Sequence, residues 1–339
     1  MAFLWTPRLD VLVVTLIAAT TIACGTQAKP AGDAPKAAAT AAATAAATAA
    51  ATATAKPAGA ALKPNPDRAV SVDGLAGKLN DPAVVPVDLR TKEKYDAGHI
   101  PGAVLLASAA FSQKTGDVSD LAPAAQVAEA LSKIGVKPTD AIVFYDDGGS
   151  LSATRALWGL DVYGHKDSRV LNGTWTSWEA AKKPVTKDVP TRASTQYAFS
   201  GAPNTSIVVT FDQMVKAVGD PSKIVCDSRT ADEYTGRDLR APAKSGGHIP
   251  GALNLAYNDA VAKTGEFLPV SELKKLYDNA GIKAQDNQTI FAYCQSGVRA
   301  AHAWFVLKYL IGYEKVAVYD GSWEEYGGRT DTKIESSRS

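Results

Sequence analysis

One cysteine stands where a strand gives way to a helix. Thr289–Tyr293 is a short apolar run of β type, Cys294-Gln295-Ser296-Gly297-Val298 follows it, and helical spacing runs from Arg299 to Ile311 before Gly312. A tight loop at a helix amino terminus turns several backbone N–H groups inward and adds the positive end of the helix dipole. Both effects favour the thiolate, the nucleophilic form of cysteine. Gly297 turns the chain without a Cβ penalty, and Arg299 brings a planar fork of donors suited to paired hydrogen bonds with an oxyanion. The chemistry these residues point to is attack by the Cys294 sulfur, with Gln295, Ser296, Gly297, Val298 and Arg299 cradling the substrate. A cysteine buried as a small hydrophobe is the bland alternative. Cys226, inside the apolar run Lys223–Asp227 with no loop after it, fits that description instead.

The elements that must position this loop occur twice. Asp88-Leu89-Arg90 returns as Asp227-Ser228-Arg229, and a Gly-His-Ile-Pro-Gly-Ala string at 98–103 returns at 247–252. Ile142–Tyr145 returns as Ile290–Tyr293, and Gly173-Thr174-Trp175 as Gly321-Ser322-Trp323. From the His-containing string onward the copies lie 148 or 149 positions apart (98 to 247, 145 to 293, 175 to 323), whereas the Asp-x-Arg pairs lie 139 apart (88 to 227). The second copy therefore carries about ten extra residues, placed within 236–246. Such a period indicates duplication of a domain of ordinary size. In the second copy, Ile207–Val209, Lys223–Cys226, Thr289–Tyr293 and Val316–Tyr319 read as strands, and Val270–Ala280 and Arg299–Ile311 as helices. Short apolar strands alternating with helices predict an α/β fold, a parallel sheet with helices on both faces, and a site beyond the strands' carboxyl ends.

The chain has 339 residues and a formal net charge of +1, which removes the electrostatic case for binding nucleic acid. No apolar run reaches the ~20 residues of a membrane-spanning helix, and three cysteines do not make a disulfide scaffold. Arg8 precedes an apolar run from Val11 to Ile22, of the length of a secretory signal's core. The Thr21-Ile22-Ala23-Cys24 end resembles a bacterial lipobox, in which the cysteine is lipidated. Residues 25–63 are rich in Ala, Thr and Pro and hold no large apolar side chain before Leu62, too little to offset chain ordering. The expected organisation is a signal peptide (1–23), a disordered tether (24–66), a first domain (67–190), a linker (191–206), a second domain (207–332) and a disordered tail (333–339). Cys24 is the expected lipid anchor, the bacterial envelope on the periplasmic side the expected location, and that anchor the only expected membrane contact.

The doubled Asp-x-Arg and Gly-His-Ile-Pro-Gly-Ala elements, the Cys294-x4-Arg299 loop and Tyr319-Asp320-Gly321-Ser322-Trp323 together resemble the tandem-domain rhodanese family of sulfurtransferases, over about residues 67–330. The resemblance implies two tandem rhodanese-like domains. It also implies that Cys294 takes sulfane sulfur from a donor as a persulfide and passes it to an acceptor, a ping-pong scheme with the loop amides stabilising the intermediate. It implies no cofactor, a small donor, and a thiol or cyanide acceptor. Asp146 stands opposite Cys294, so the first domain is expected to be silent and to wall the cleft, with Arg155 or Trp158 near it. Four residues between Cys294 and Arg299, against five in related phosphatases, suit a sulfur atom rather than a phosphoryl group. Ser296-Gly297-Val298 matches members that prefer 3-mercaptopyruvate, whereas Arg299 matches bacterial thiosulfate-type members, and Glu233 replaces a substrate-binding Arg of the vertebrate enzymes. Thiosulfate is the favoured donor and 3-mercaptopyruvate the alternative; a non-catalytic sulfur-binding or redox-sensing lipoprotein is the reading from another class. Asp227, Arg229, His248 and Trp323 are assigned supporting roles. His99, His165, His248 and His302 form no close ligand cluster, so no metal is expected, and a monomer is the simplest assembly.

Overall fold

The computed structural model describes residues 60–336. Their strands are β1 (Ala69–Val70), β2 (Val84–Asp88), β3 (Val104–Leu105), β4 (Gln113–Thr115), β5 (Val118–Asp120), β6 (Ala141–Tyr145), β7 (Ser168–Leu171), β8 (Val208–Val209), β9 (Lys223–Asp227), β10 (Leu253–Asn254), β11 (Thr289–Tyr293) and β12 (Val316–Tyr319). The helices are α1 (Val72–Ala76), α2 (Lys92–Ala97), α3 (Ala124–Lys133), α4 (Leu151–Tyr163), α5 (Thr174–Ala180), α6 (Phe211–Ala217), α7 (Ala231–Thr235), α8 (Val270–Asn279), α9 (Val298–Phe305) and α10 (Ser322–Tyr326). Among them are two five-stranded parallel sheets of identical order, β1-β7-β6-β2-β3 and β8-β12-β11-β9-β10. The α/β fold of two duplicated domains is thus as the sequence implies.

Register explains why the motifs recur. β2 pairs with β6 so that Asp88 lies beside Tyr145, and β9 pairs with β11 so that Asp227 lies beside Tyr293. The central strands are apolar and buried because helices cover both faces of each sheet. The apolar stripe of α3 buries Val127 and Leu131, and that of α8 buries Leu273 and Tyr277. The central helices α4 and α9 pack against each other across the boundary between the repeats. One hydrophobic cluster, containing Phe144, Trp158, Ile290 and Trp304, runs through both repeats.

The two copies differ by a compensated residue. Tyr145 and Tyr293 lie 148 positions apart, but the helix N-caps that follow, Ser150 and Gly297, lie 147 apart. The loop after β11 is therefore one residue shorter. The helix expected as one piece to Ile311 instead ends its regular part at Phe305 and continues as a π-helical turn, Val306–Ile311. A π turn houses an extra residue, so the left-handed closing glycines, Gly164 and Gly312, are again 148 apart.

Two chain ends differ from the expected disorder. Residues 60–66, assigned to the tether, include an edge bonded to the second repeat: Lys63 N–H donates to Gly312 O at 2.8 Å and Asn65 N–H to Tyr309 O at 2.7 Å. Residues 333–336, assigned to the tail, include Glu335, which exchanges backbone hydrogen bonds of 2.8 and 3.0 Å with His248. In both places backbone hydrogen bonds hold the chain, and Ala60 and Ile334 add apolar contacts with the core. The linker has no helix or strand over residues 191–204, yet Thr195 and Asn204 donate to Ser132 O and Val162 O of the first repeat. The expected signal peptide, most of the tether and Cys24 fall on residues outside those described.

Candidate active site

Cys294 leaves the carboxyl end of β11 and is 1% exposed. Its N–H donates to Ser322 Oγ at 3.1 Å, and its carbonyl accepts from Trp323 N at 3.0 Å. Gly297, at φ +80°, also donates its N–H to Ser322 Oγ, at 3.1 Å, and caps α9. A Cβ on Gly297 would fall inside contact distance of Asp320 Oδ1 and 2.9 Å from Arg155 Nη1. Replacing Gly297 by alanine should therefore cost more than the ~1–2 kcal/mol of the left-handed backbone alone. The expected result is a lower melting temperature together with turnover reduced by at least about tenfold, read by thermal unfolding and initial rates.

The arginine at the end of the loop is engaged differently from the expectation. Arg299 Nη1 and Nη2 donate to Glu233 Oε2 and Oε1 at 2.6 and 2.8 Å, so the paired bonds expected to reach a substrate oxyanion are made to a carboxylate of α7. Glu233 is placed there by a capping box with Thr230. Burial by itself would push the Glu233 carboxyl up, but the Arg299 guanidinium and the Thr230 donors outweigh it and hold it at about 2, from an ordinary 4.5. Because the folded value is depressed, the stability it contributes is full above about 4.5 and is lost as pH falls toward 2. An acid-unfolding profile should steepen across that window, and Glu233→Gln should flatten it.

A further arginine near the loop, Arg240 of the insertion, pairs with Asp238 at 2.9 Å. Gln295 Nε2 donates to Arg240 O at 3.3 Å, which ties the insertion to the loop, and Arg240 Nε lies 3.6 Å from Glu233. Burial lowers the Arg299 guanidinium's pKa, but its hydrogen bonds to Glu233 outweigh that and raise it. The α9 amino terminus supplies the unpaired N–H groups that every helix start leaves. Two of the loop's own amides, those of Cys294 and Gly297, are spent on Ser322.

The supporting residues form a brace that both repeats share. Arg229 donates to Asp227 through N, Nε and Nη2 at 2.9, 3.0 and 2.6 Å and to Gly247 O at 2.8 Å, while Tyr293 Oη donates to Asp227 Oδ2 at 2.6 Å. Arg90, Asp88, Gly98 and Tyr145 repeat those contacts. Trp323 is buried with Arg229 4.4 Å above its ring, and His248 stacks on Tyr234 at 3.6 Å while bonding its carbonyl. The side chains of these groups brace the strand ends, and Trp323 also bonds the Cys294 carbonyl through its backbone N–H. Among the described residues no group of three or more His, Cys, Asp or Glu is placed to hold a metal ion.

The silent repeat shows what the loop geometry accepts. Trp175 N donates to Asp146 O just as Trp323 N does to Cys294 O, so Asp146 occupies the cysteine's place. Its carboxylate accepts the N–H groups of Gly148, Ser150 and Ala153, each at 3.0 Å. Burial raises the Asp146 carboxyl, and these amides oppose it. The strand–loop–helix junction is thus a receptor for a small anion, filled in the first repeat by its own side chain.

The first repeat also reaches into the second. Arg155 of α4 pairs with Asp320, with Nη2 3.3 Å from Oδ2, and Leu121 N donates to Asp320 Oδ2 at 2.6 Å. Trp158 instead donates to Ile207 O at 3.3 Å, away from the loop. Sequence reasoning missed Asp320, Ser322 and Arg240. The serine was visible within Tyr319–Trp323, but nothing in the string says that its oxygen faces the loop.

A family model for the rhodanese-like domain matches residues 71–181 and 210–328. A relative from Mycolicibacterium smegmatis is 36% identical over 282 residues, covering 79% of this chain and 98% of its own. The thiosulfate sulfurtransferase of Corynebacterium glutamicum is 34% identical over 282 residues, covering 80% and 91%. Among solved structures, Tum1 of Saccharomyces cerevisiae superposes with a TM-score of 0.71 at 21% identity, covering 79% of this chain and 97% of that one. The anaerobic ergothioneine biosynthesis enzyme of Chlorobium limicola gives 0.69 at 21%, covering 80% and 70%. The structural matches speak to the fold alone.

Proposed function

The chain belongs to the rhodanese family, and from that premise we propose that its second repeat is a sulfurtransferase centre in which Cys294 carries sulfur from thiosulfate to a thiophilic acceptor. The Cys294 thiolate attacks the outer sulfur of thiosulfate; a new S–S bond forms while the old one breaks, and its electron pair leaves with sulfite. Cyanide or a thiolate then attacks the terminal sulfur of the persulfide, and the S–S pair returns to Cys294. No external oxidant or reductant is consumed. The observation that carries this reading is the anion receptor at the strand–helix junction, filled by Asp146 in one repeat and left to a thiol in the other. The amino terminus of α9, which begins at Val298 directly after the loop, favours the thiolate and then the persulfide anion.

Thiosulfate is the better-supported donor. The family members similar in sequence include the thiosulfate sulfurtransferase of C. glutamicum, and two arginines, Arg299 and Arg240, stand near the loop, paired with Glu233 and Asp238. Steady-state turnover of thiosulfate with cyanide, read as thiocyanate, is expected to exceed sulfide release from 3-mercaptopyruvate in kcat/KM by at least about tenfold. The reverse order would assign the alternative donor, and no product from either donor would remove the proposal.

The location is a second part of the same proposal. The apolar run 11–22 ending at Cys24, with the Ala/Thr/Pro-rich stretch after it, supports a lipid-anchored protein of the bacterial envelope. Labelling with radioactive palmitate in a bacterial host should mark the wild type and not Cys24→Ala; label on both, or on neither, would contradict the anchor.

A further inference from the structure

A loop that turns its amides inward must give them an acceptor, because a buried N–H left alone is costly. The two repeats meet this demand differently. In the first, the Asp146 carboxylate fills the loop. In the second, a thiol stands at that position, and Ser322 Oγ, from the first residue of α10, accepts the N–H groups of both Cys294 and Gly297 at 3.1 Å. The same hydroxyl donates to Tyr319 O at 2.8 Å, which fixes where its lone pairs point. Ser322 does this from a left-handed conformation, φ +51°, that a serine rarely adopts. Such strain persists only where surrounding contacts over-determine it.

Those contacts come from the silent repeat. Asp320, two residues before the serine, is held by Arg155 and by the Leu121 amide. Glu324, two residues after it, accepts from Ser119 N at 2.7 Å and Lys114 Nζ at 3.1 Å, both on the β4–β5 hairpin. Glu324 N in turn donates to Gln295 O at 2.9 Å. The corresponding residue of the first repeat, Thr174, is also left-handed, at φ +61°, but its hydroxyl accepts from Thr176 N and not from the loop.

We infer that Ser322 is a positioning residue of the sulfur-transfer site: its hydroxyl, clamped by the silent repeat through Asp320 and Glu324, orients the Cys294 and Gly297 amides and so sets the shape of the loop that receives the sulfur. Its kinetic readout rests on the sulfurtransferase reading; the geometric part does not. The hydroxyl substitutes for the carboxylate that the first repeat uses, and it leaves the receptor open for an exogenous anion.

The experiment compares wild type with Ser322→Ala, Ser322→Gly and Ser322→Thr at a temperature where melting curves show all four folded. Thiosulfate kcat is expected to fall on the order of 10- to 100-fold in the alanine and glycine variants, the scale of a small misplacement at a reacting centre. Threonine, which keeps the hydroxyl and is tolerated at the same φ in the first repeat, should restore it to within about threefold. Hydrogen exchange should show the Cys294 and Gly297 amides losing protection in the alanine and glycine variants and keeping it in the threonine variant. A structural role alone would lower the melting temperature and leave kcat per folded molecule unchanged. Wild-type kcat and wild-type protection in Ser322→Ala, or glycine rescuing as well as threonine, would overturn the inference. If the wild type itself moved no sulfur, the proposed function would fail while the exchange pattern still decided the placement of Ser322.

Discussion

Replacing Cys294 by alanine should reduce thiocyanate formation by roughly three orders of magnitude or more, to the rate without enzyme, since no other group in the site can hold sulfane sulfur covalently. Asp146, its counterpart, is a carboxylate bonded to three amides and forms no persulfide. The variant should still fold, because it deletes one sulfur atom from a buried position at a cost of about 1 kcal/mol. Cys226→Ala is the matched control. That thiol is fully buried within β9 and its pKa is pushed up by burial, so its removal should lower stability by a similar amount with turnover intact. A Cys294→Ala protein that turns over like the wild type would place the nucleophile elsewhere; initial rates on both proteins settle it.

The second large effect should come from a residue in the repeat that has no reactive thiol. Arg155 and Asp320 form a buried ion pair between the repeats. Arg155→Met removes one partner and leaves the Asp320 carboxylate with the Leu121 amide as its remaining strong donor. Breaking a buried pair in this way costs about 3–5 kcal/mol, because a desolvated charge is left uncompensated. Asp320 adjoins Gly297 and precedes Ser322, so turnover should fall as well. The double variant Arg155→Met/Asp320→Asn removes both charges and should regain most of the stability. Urea unfolding of the three proteins measures this: a single-variant loss below about 1 kcal/mol, or a double variant no better than the single, would mean that the pair does not hold the boundary.

Much of this was legible in the residues. The duplication showed itself because each recurrent string does a backbone job: Asp-x-Arg ties a strand end to the Gly-His-Ile-Pro-Gly-Ala turn, and the tyrosine before the loop bonds the same aspartate in both copies. The loop around Cys294 was legible for the same reason, since strand, glycine and helix follow one another locally. What the sequence hid were pairings at a distance. Arg299 looked free because its partner Glu233 lies 66 positions earlier on another helix. Ser322 looked like part of a closing motif because its acceptor role appears only when β12 lies beside β11. The π turn after Phe305 was invisible to helical spacing, because an inserted residue within a mostly buried helix does not break an apolar pattern. Residues 60–66 and 333–336 were read as disordered from composition, yet backbone hydrogen bonds to folded segments are indifferent to side-chain type.

The persulfide itself tests the account most directly. Intact-mass and peptide mass analysis of protein treated with thiosulfate should show one added sulfur, roughly 32 Da, on the peptide carrying Cys294, and cyanide should remove it with release of one equivalent of thiocyanate. A sulfinic acid would add the same nominal mass but would survive cyanide. No adduct on Cys294, or an adduct that neither cyanide nor a thiol removes, would contradict a transferring enzyme, and the second outcome would mark the protein as a sulfur-binding or redox-sensing one.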